Sequence, residues 1–428
     1  MRQIESSDRT SRGPQHNVQQ LSHAIDCRVV SLKSPSLTAA ESMSRFYAFT
    51  AFTVLATLAS AAHPHPLQPK LEGPLTPHLG EPVMESQHLF SGQRFPNVVV
   101  TLDGTVLATW GNSNVHARRS EDGGKTWQPK IKIADPGFQG GGTTVDENSG
   151  DVLTFVEAHH PPAEISLYRS TDDGRTWKKE AAKITPDKAG NLPSMHMNEH
   201  GITLRHGKHK GRLIRPTRWY AGKNDRSKWP EHYTNAIYSD DGGKTWSTSE
   251  PFPENGTGEA TLAELSDGRL YYNSRVHWQE RPNNTRRRSA ISEDGGQTWK
   301  NWTLEQTLPD GHQHRSYGCM GGLTRLPITD RDILIFSNID TDQPKRERAT
   351  VWASFDGGKT WPVKRLVFEG PSAYSSLAAG RPGTPSEGLI FLHFEGGPQG
   401  GSELARFNLA WLLKGEPTGD GSIPDDLK

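Results

Sequence analysis

The chain has 428 residues, and its 49 Lys plus Arg balance its 49 Asp plus Glu, so the formal charge is zero. This balance excludes a broad electrostatic attraction to nucleic acid or an anionic membrane; anion recognition must come from a few arginines aimed into one pocket. Two cysteines, Cys27 and Cys319, exclude a disulfide scaffold or a cysteine-built zinc site, while 43 Gly, 30 Pro and 12 Trp suit many short strands joined by tight turns.

Residues 1–42 are polar and without pattern, and read as an upstream extension, disordered or preceding the true start at Met43. Residues 43–62 read as a secretory signal peptide: Arg45 opens it, an apolar run covers Phe46 to Leu58, and Ala59, Ser60 and Ala61 offer a small-residue cleavage site. The alternative is an uncleaved anchor, but the run is short for a membrane span. The expectation is an extracellular protein, free of the membrane after cleavage. Residues 63–80 form a Pro-rich leader, 81–414 the folded body, and 415–428 a loose, acidic, Gly-rich C-terminal tail. Asn255, Asn283 and Asn301 open Asn-x-Thr sequons, which a secreted chain permits.

Within the body, a box of the form Ser-x-Asp-x-Gly-x-Thr-Trp occurs five times, beginning at Ser120, Ser170, Ser239, Ser292 and Ser354. The starts are 50, 69, 53 and 62 residues apart, which fits one four-stranded blade per box with loops of unequal length. Apolar strand residues precede each box. The Asp and Gly supply a positive-φ hairpin turn, and the Thr and Trp begin the next strand. The fold class predicted is all-β: a six-bladed β-propeller of four-stranded antiparallel blades, since about 340 residues divide into six blades of ~50–60 residues more readily than into seven. The segment from Ala405 to Trp411 reads as a strand returning to close the ring. The boxes are scaffold and carry no catalysis.

Other segments narrow the function, and through them the chain resembles the exo-α-sialidases (neuraminidases) of the BNR, or Asp-box, class. The resemblance runs from about Phe90 to Gly397. Gln93-Arg94-Phe95-Pro96 before an apolar strand is similar to the family's Tyr/Phe-Arg-Ile-Pro motif. Glu259, Glu264, Asn273 and Arg275 sit in a segment resembling Glu-x-Gln…Glu-Leu-x-Asp-Gly…Asn-x-Arg, with 16 residues from Glu259 to Arg275. Arg346, eight residues before the last box, matches the third arginine, with Arg348 as a close competitor. The stretch around Tyr374 is similar to the nucleophile segment, Glu395 to the Glu that follows it, and Gly318-Cys319 to a Cys-containing segment.

The resemblance implies roles. Arg94, Arg275 and Arg346 would grip the carboxylate that a sialic acid carries on its anomeric carbon. A carboxylate nucleophile would be repelled by that charge; sialidases, with a Tyr nucleophile, depart from the usual pair of carboxylates, and Tyr374 would fill the role. Its phenol needs a base. Glu259 would take the proton, and Glu395 would orient Arg94. Read singly, each arginine is a surface cation, Tyr374 a packed core residue and Glu259 a solvated turn residue; their shared order along the chain favours the site. The family's acid/base Asp has no counterpart, because the stretch from Thr109 to Arg119 is short and holds no carboxylate. Substitute proton donors are His196, Glu199 and His200, clustered in five residues, and His116; a polar loop is the plain alternative. Their spacing makes no tetrahedral metal set. His159 and His160, before Pro161-Pro162, read as turn residues.

Three readings follow. The leading one is a secreted exo-acting glycoside hydrolase removing a terminal acidic sugar, a sialic or related ulosonic acid, from a glycan or glycoconjugate. The second is a uronate lyase on the same scaffold, and the third a non-catalytic propeller that binds acidic glycans. Tyr374 and Glu259 argue against the third. No reading calls for a metal, an organic cofactor or a nucleic-acid partner.

Overall fold

Each box builds its own hairpin. In the first, the Asp122 carboxylate accepts the N–H groups of Lys125 and Thr126, both at 2.9 Å, and the Thr126 hydroxyl at 2.6 Å. The Ser120 hydroxyl accepts the Gly124 N–H at 2.9 Å. Burial opposes ionisation, yet the hydrogen bonds from Thr126, Ser120 and Lys125 hold the Asp122 carboxyl down at about 2. Gly124 turns at φ 81°, and a Cβ there would stand 3.0 Å from the Phe391 ring. Asp172, Asp241, Asp294 and Asp356 each hold the backbone N–H and hydroxyl of the Thr four residues on. Trp246, Trp299 and Trp361 are buried beside their turns, while Trp127 and Trp177 are half-buried.

The computed structural model describes residues 70–276, 286–310 and 318–428. The upstream extension (1–42) and the signal peptide (43–62) lie outside them, as does Cys27. Every box joins the third strand of an antiparallel set to the fourth. The first sheet runs Asn97–Val100, Val106–Trp110, Val115–Ser120, Ile131–Ala134, and the second Phe138–Val145, Val152–Glu157, Ile165–Ser170, Lys178–Ala181. The third has Ile202–Thr203, Leu213–Trp219, Tyr233–Ser239 and Trp246–Thr248, with Ile184–Thr185 added in parallel at the edge. The fourth is Thr257–Glu264, Leu270–Val276, Arg286–Ser292, Lys300–Pro309.

The last sheet has eight strands, because the 17-residue strand Val363–Ala379 serves two sets. Its first half pairs with Glu347–Ser354, and its second half, from Ser372, pairs with Leu389–Gly396. The N-terminal strand Met84–Phe90 lies antiparallel to Ser402–Asn408; of the returning strand expected over Ala405–Trp411, only its first part is strand, and Leu409–Leu412 is a short helix capped by Asn408.

Apolar side chains bind neighbouring sheets face to face. Leu107, Val115, Val145 and Val152 form one cluster between the first and second sheets, and Phe155, Leu213, Ile237 and Trp246 another between the second and third. Val98, Ala108, Phe391 and Leu404 join the first sheet to the last. The chain end is tied down where a loose tail was expected. Glu416–Pro417 pairs with Val363–Lys364, the Asp420 carboxylate accepts the Trp361 N–H and the Thr307 hydroxyl, and Leu427 is buried. Part of the leader is anchored too, with Glu72 on Arg325 at 2.5 Å.

The innermost strands meet in a polar hub. Glu199 Oε1 accepts the Ser376 hydroxyl at 2.6 Å and the Leu377 N–H at 3.0 Å, and His200 Nε2 reaches the Leu377 carbonyl at 2.8 Å. Asn97 donates to Ser376 and accepts from the Thr143 N–H, so strands of three sheets and the 194–201 segment share one network. Glu157 supports that segment, accepting the Ser194 hydroxyl at 2.7 Å and the Met195 N–H at 3.1 Å. Its other oxygen fits only because residue 140 is Gly, whose Cβ would stand 2.5 Å away.

Burial raises the Glu157 carboxyl from 4.5 to about 7, with Ser194, Met195, Arg215 and Arg218 only partly offsetting it. A folded pKa above the unfolded one gives stability that is present below the unfolded value and lost as pH rises through the folded value. Compared with Glu157→Gln, which cannot ionise, the wild-type chain should lose roughly 3 kcal/mol of unfolding free energy between about pH 5 and pH 8. Urea denaturation of both proteins across that range checks this; parallel pH curves would contradict it.

Candidate active site

Two bulges shape the site. The pairing of Val363–Ala379 with Leu389–Gly396 shifts register between Ser372 and Ser375, and that of Thr257–Glu264 with Leu270–Val276 shifts between Thr257 and Ala260. Tyr374 and Glu259 fall inside these bulges, where a strand can re-aim a side chain out of its alternation. The Tyr374 hydroxyl lies 3.4 Å from Glu259 Oε1, and Glu259 Oε2 accepts Arg275 Nη1 at 2.5 Å. Glu259 and Arg275 are each 1% exposed.

The other two arginines face the same ring. Arg94 holds its guanidinium carbon 4.7 Å from the Tyr374 ring centre, and Arg346 holds its own at 5.0 Å. Glu395 clamps Arg94 through two bonds, to Nε at 3.0 Å and Nη2 at 2.7 Å, and accepts the Phe95 N–H at 3.2 Å. That third bond steadies Phe95 in the left-handed region, at φ 78°. Arg346 donates to the Gly318 carbonyl at 3.0 Å. Arg348, its competitor in the sequence, has φ 63° and pairs with Glu369 at 2.5 Å instead.

Burial and the Glu259 carboxylate raise the Tyr374 phenol above its ordinary value, with Arg346 and Arg275 pulling the other way. The ring is therefore a phenol at neutral pH, with its hydroxyl directed at Glu259. Behind it, Arg287 donates to Asn273 at 2.7 Å and to the Cys319 carbonyl at 2.9 Å, and Asp310 accepts the Val276 N–H at 2.9 Å. Burial raises Asp310 to about 6 against the pull of Arg287 and Arg275. Neither Arg287 nor Asp310 carries a local motif that would have singled it out. Cys319 is buried and free, as a small apolar side chain would be.

Glu199 and His200 are not brought to Tyr374. The 194–201 segment runs parallel to Gly141–Thr144, and these two side chains point into the hub, at Ser376 and Leu377, two and three residues deeper along the strand. Burial raises Glu199 well above the carboxylate range and lowers His200 below the usual imidazole value. Both are structural ties, which corrects the expectation that they donate protons to the site. His196 does stand near the cluster, in a wall of rings: it lies 5.4 Å from Phe95, 4.9 Å from Phe138 and 4.7 Å from His160. Burial, with His160, Arg218 and Arg94 nearby, lowers it well below the usual value. His116 sits opposite Lys132 on the first sheet, with Lys130 and Asp135 as its other charged neighbours.

The short connection after Trp110 folds back onto Gln93, whose side-chain amide oxygen Oε1 accepts the N–H groups of Asn112, Ser113 and Asn114. A separate cavity of about 110 Å³ lies at the far ends of the inner strands, but its Glu147 is paired with Arg205 and Arg381 and its Arg325 with Asp332. Those charges satisfy one another, so the Tyr374 cluster is the candidate site. Among the described residues no group of three or more His, Cys, Asp or Glu could hold a metal ion, and no helix is long and apolar enough to cross a membrane.

Comparison with known proteins gives the family of the chain. A BNR repeat-like domain model matches residues 156–385. The chain is 32% identical to a sialidase of Micromonospora viridifaciens over 404 residues, covering 83% of this chain and 58% of that protein. It is 29% identical to a sialidase of Bacteroides fragilis over 327 residues, covering 64% and 55%. It thus spans less than two thirds of the length of these relatives. Among solved structures, the Hadza microbial sialidase Hz136 superposes with a TM-score of 0.58 at 24% identity, covering 74% of this chain and 66% of that one. A leech intramolecular trans-sialidase gives 0.59 at 14% identity, covering 78% and 71%. At these identities the likeness is one of fold. With more than half of its length matched, the chain belongs to the BNR repeat-like domain family, on an all-β fold of β-propeller type.

Proposed function

We propose that this chain is a secreted, exo-acting glycoside hydrolase of sialidase type, removing a terminal sialic or related ulosonic acid from glycans. One observation carries the reading: a buried phenol, Tyr374, held 3.4 Å from the Glu259 carboxylate among three guanidiniums. Similarity to the two bacterial proteins named sialidase supports it. The half-exposed Arg94 and Arg346 meet a substrate carboxylate first, and Arg275 joins them from below. The Tyr374 oxygen attacks the anomeric carbon while Glu259 takes its proton, which avoids setting an anionic nucleophile against an anionic substrate. Glu395 positions Arg94 and does not touch the sugar.

The same reading counts six blades. It takes the eight-stranded sheet as two blades sharing Val363–Ala379, with Met84–Phe90 closing the sixth against Ser402–Asn408. Secretion rests on residues 43–62 alone.

Purified protein should release free sialic acid from sialosides. Tyr374→Phe should lower kcat at least ~10²-fold. Arg346→Ala should lower kcat/KM about 10- to 100-fold by removing charge-assisted hydrogen bonds to the carboxylate. Product analysis by chromatography on sialosides, ulosonic glycosides and uronate glycans checks this. Full activity in Tyr374→Phe would remove the nucleophile, and an unsaturated uronate product would replace hydrolysis with elimination.

A further inference from the structure

We infer that His160 is the residue that protonates the leaving group, a role that rests on the hydrolase reading above. The first sheet cannot supply a proton donor at its connection between second and third strands, because Gly111–Asn114 is short, lacks a carboxylate and is pinned to Gln93. The equivalent connection of the next sheet, between Glu157 and Ile165, takes its place. It is longer, closed at its base by the Ala158 N–H on the Glu164 carbonyl at 2.9 Å, and carries exposed His160.

Phe138 links this connection to the site. Its ring is 5.6 Å from His160 and 5.1 Å from Phe95, and Phe95 is 6.1 Å from Tyr374. The inner strand carrying Phe138 is itself bonded to the short connection, Gln139 N–H to the Gly111 carbonyl at 3.0 Å. His160 is anchored at one edge only, with Nδ1 3.0 Å from the Pro161 carbonyl. That contact fixes a proton on Nδ1 and leaves Nε2 as the nitrogen that gains and loses one. The ring rests on His196 at 4.7 Å and on Tyr220 at 6.2 Å. His196 is buried, so it serves as a wall, whereas His160 is exposed and open to a leaving group on its outer side.

The chemistry balances. In the first half, the proton on His160 Nε2 passes to the glycosidic oxygen, which keeps the electron pair of its broken bond to the anomeric carbon. Tyr374 Oη bonds to that carbon and its proton goes to Glu259. In the second half, water attacks the carbon and gives a proton to neutral His160, and the phenol leaves with its electron pair and regains its proton from Glu259.

The groups facing His160 are Arg218, His159, His196 and Tyr220. Partial desolvation of the ring on its packed side, Arg218 and His159 lower it below 6.5, outweighing the Pro161 carbonyl. The acid form therefore populates on the acidic side of that value and is lost as pH rises through the lowered pKa. The test compares an unactivated substrate, sialyllactose, with an activated aryl sialoside whose phenol leaves without protonation. For wild-type protein, kcat/KM on sialyllactose should fall as pH rises through that imidazole pKa, and the aryl profile should lack this limb. His160→Gln and His160→Asn should lose ~10²-fold on sialyllactose and less than ~3-fold on the aryl sialoside, with His159→Gln close to wild type. Equal losses on both substrates in variants that melt like the wild type, or identical wild-type pH profiles for both, would overturn the assignment while leaving the hydrolase reading intact. Turnover of neither substrate by wild-type protein would contradict the hydrolase reading and the assignment with it.

Discussion

The site depends on one buried charge pair. Glu259 and Arg275 are both shut away from water and paired at 2.5 Å, so each depends on the other for a partner. That bond consumes one oxygen of Glu259 and leaves the other to face the Tyr374 hydroxyl. Removing either partner would strand a buried polar group and release Tyr374 or Glu259 from this arrangement. The bulges in the two inner strands, the Arg287 and Asp310 pair behind them, and the Gly318 carbonyl that holds Arg346 all serve to keep this geometry in place.

The scaffold and the site divide the molecule cleanly. Box turns sit between third and fourth strands and satisfy their Ser and Asp side chains locally, while their carbonyls at Gly123, Asp173, Gly242 and Gly295 accept Arg406, Arg119, Arg169 and Arg212 from the neighbouring sheets. Neighbouring sheets are joined by apolar faces, and the inner strands by the Glu199 and Ser376 hub. The hub lies two and three residues beyond Tyr374 on the same strand, so its polar ties stiffen the strand beneath the site.

What the sequence made legible follows the range of the interactions. The boxes were readable because Ser, Asp, Gly and Thr complete their hydrogen bonds within a few residues. Tyr374, Glu259 and the arginines were readable through local segments, and the structure decides between Arg346 and Arg348 by which of them faces the Tyr374 ring. Glu199 and His200 misled because proximity to His196 in sequence suggested a shared role, whereas a turn at His196 and Met197, with Met197 at φ 57°, separates His196 from the hub residues that follow. His160 read as a turn residue, since its approach to Phe138 and His196 exists only once separate sheets stand side by side. The C-terminal segment read as loose because its anchors, Val363, Thr307 and Trp361, lie 50 or more residues away.

The central claim, that Tyr374 attacks the anomeric carbon, can be met directly by trapping. A fluorinated sialosyl fluoride, which forms the glycosyl-enzyme quickly and releases it slowly, would be incubated with the purified chain before digestion and peptide mass spectrometry. The account predicts one sugar adduct, on the peptide containing Tyr374 and on that residue. An adduct on Glu259 or another side chain, or none in a preparation that turns over sialosides, would contradict it.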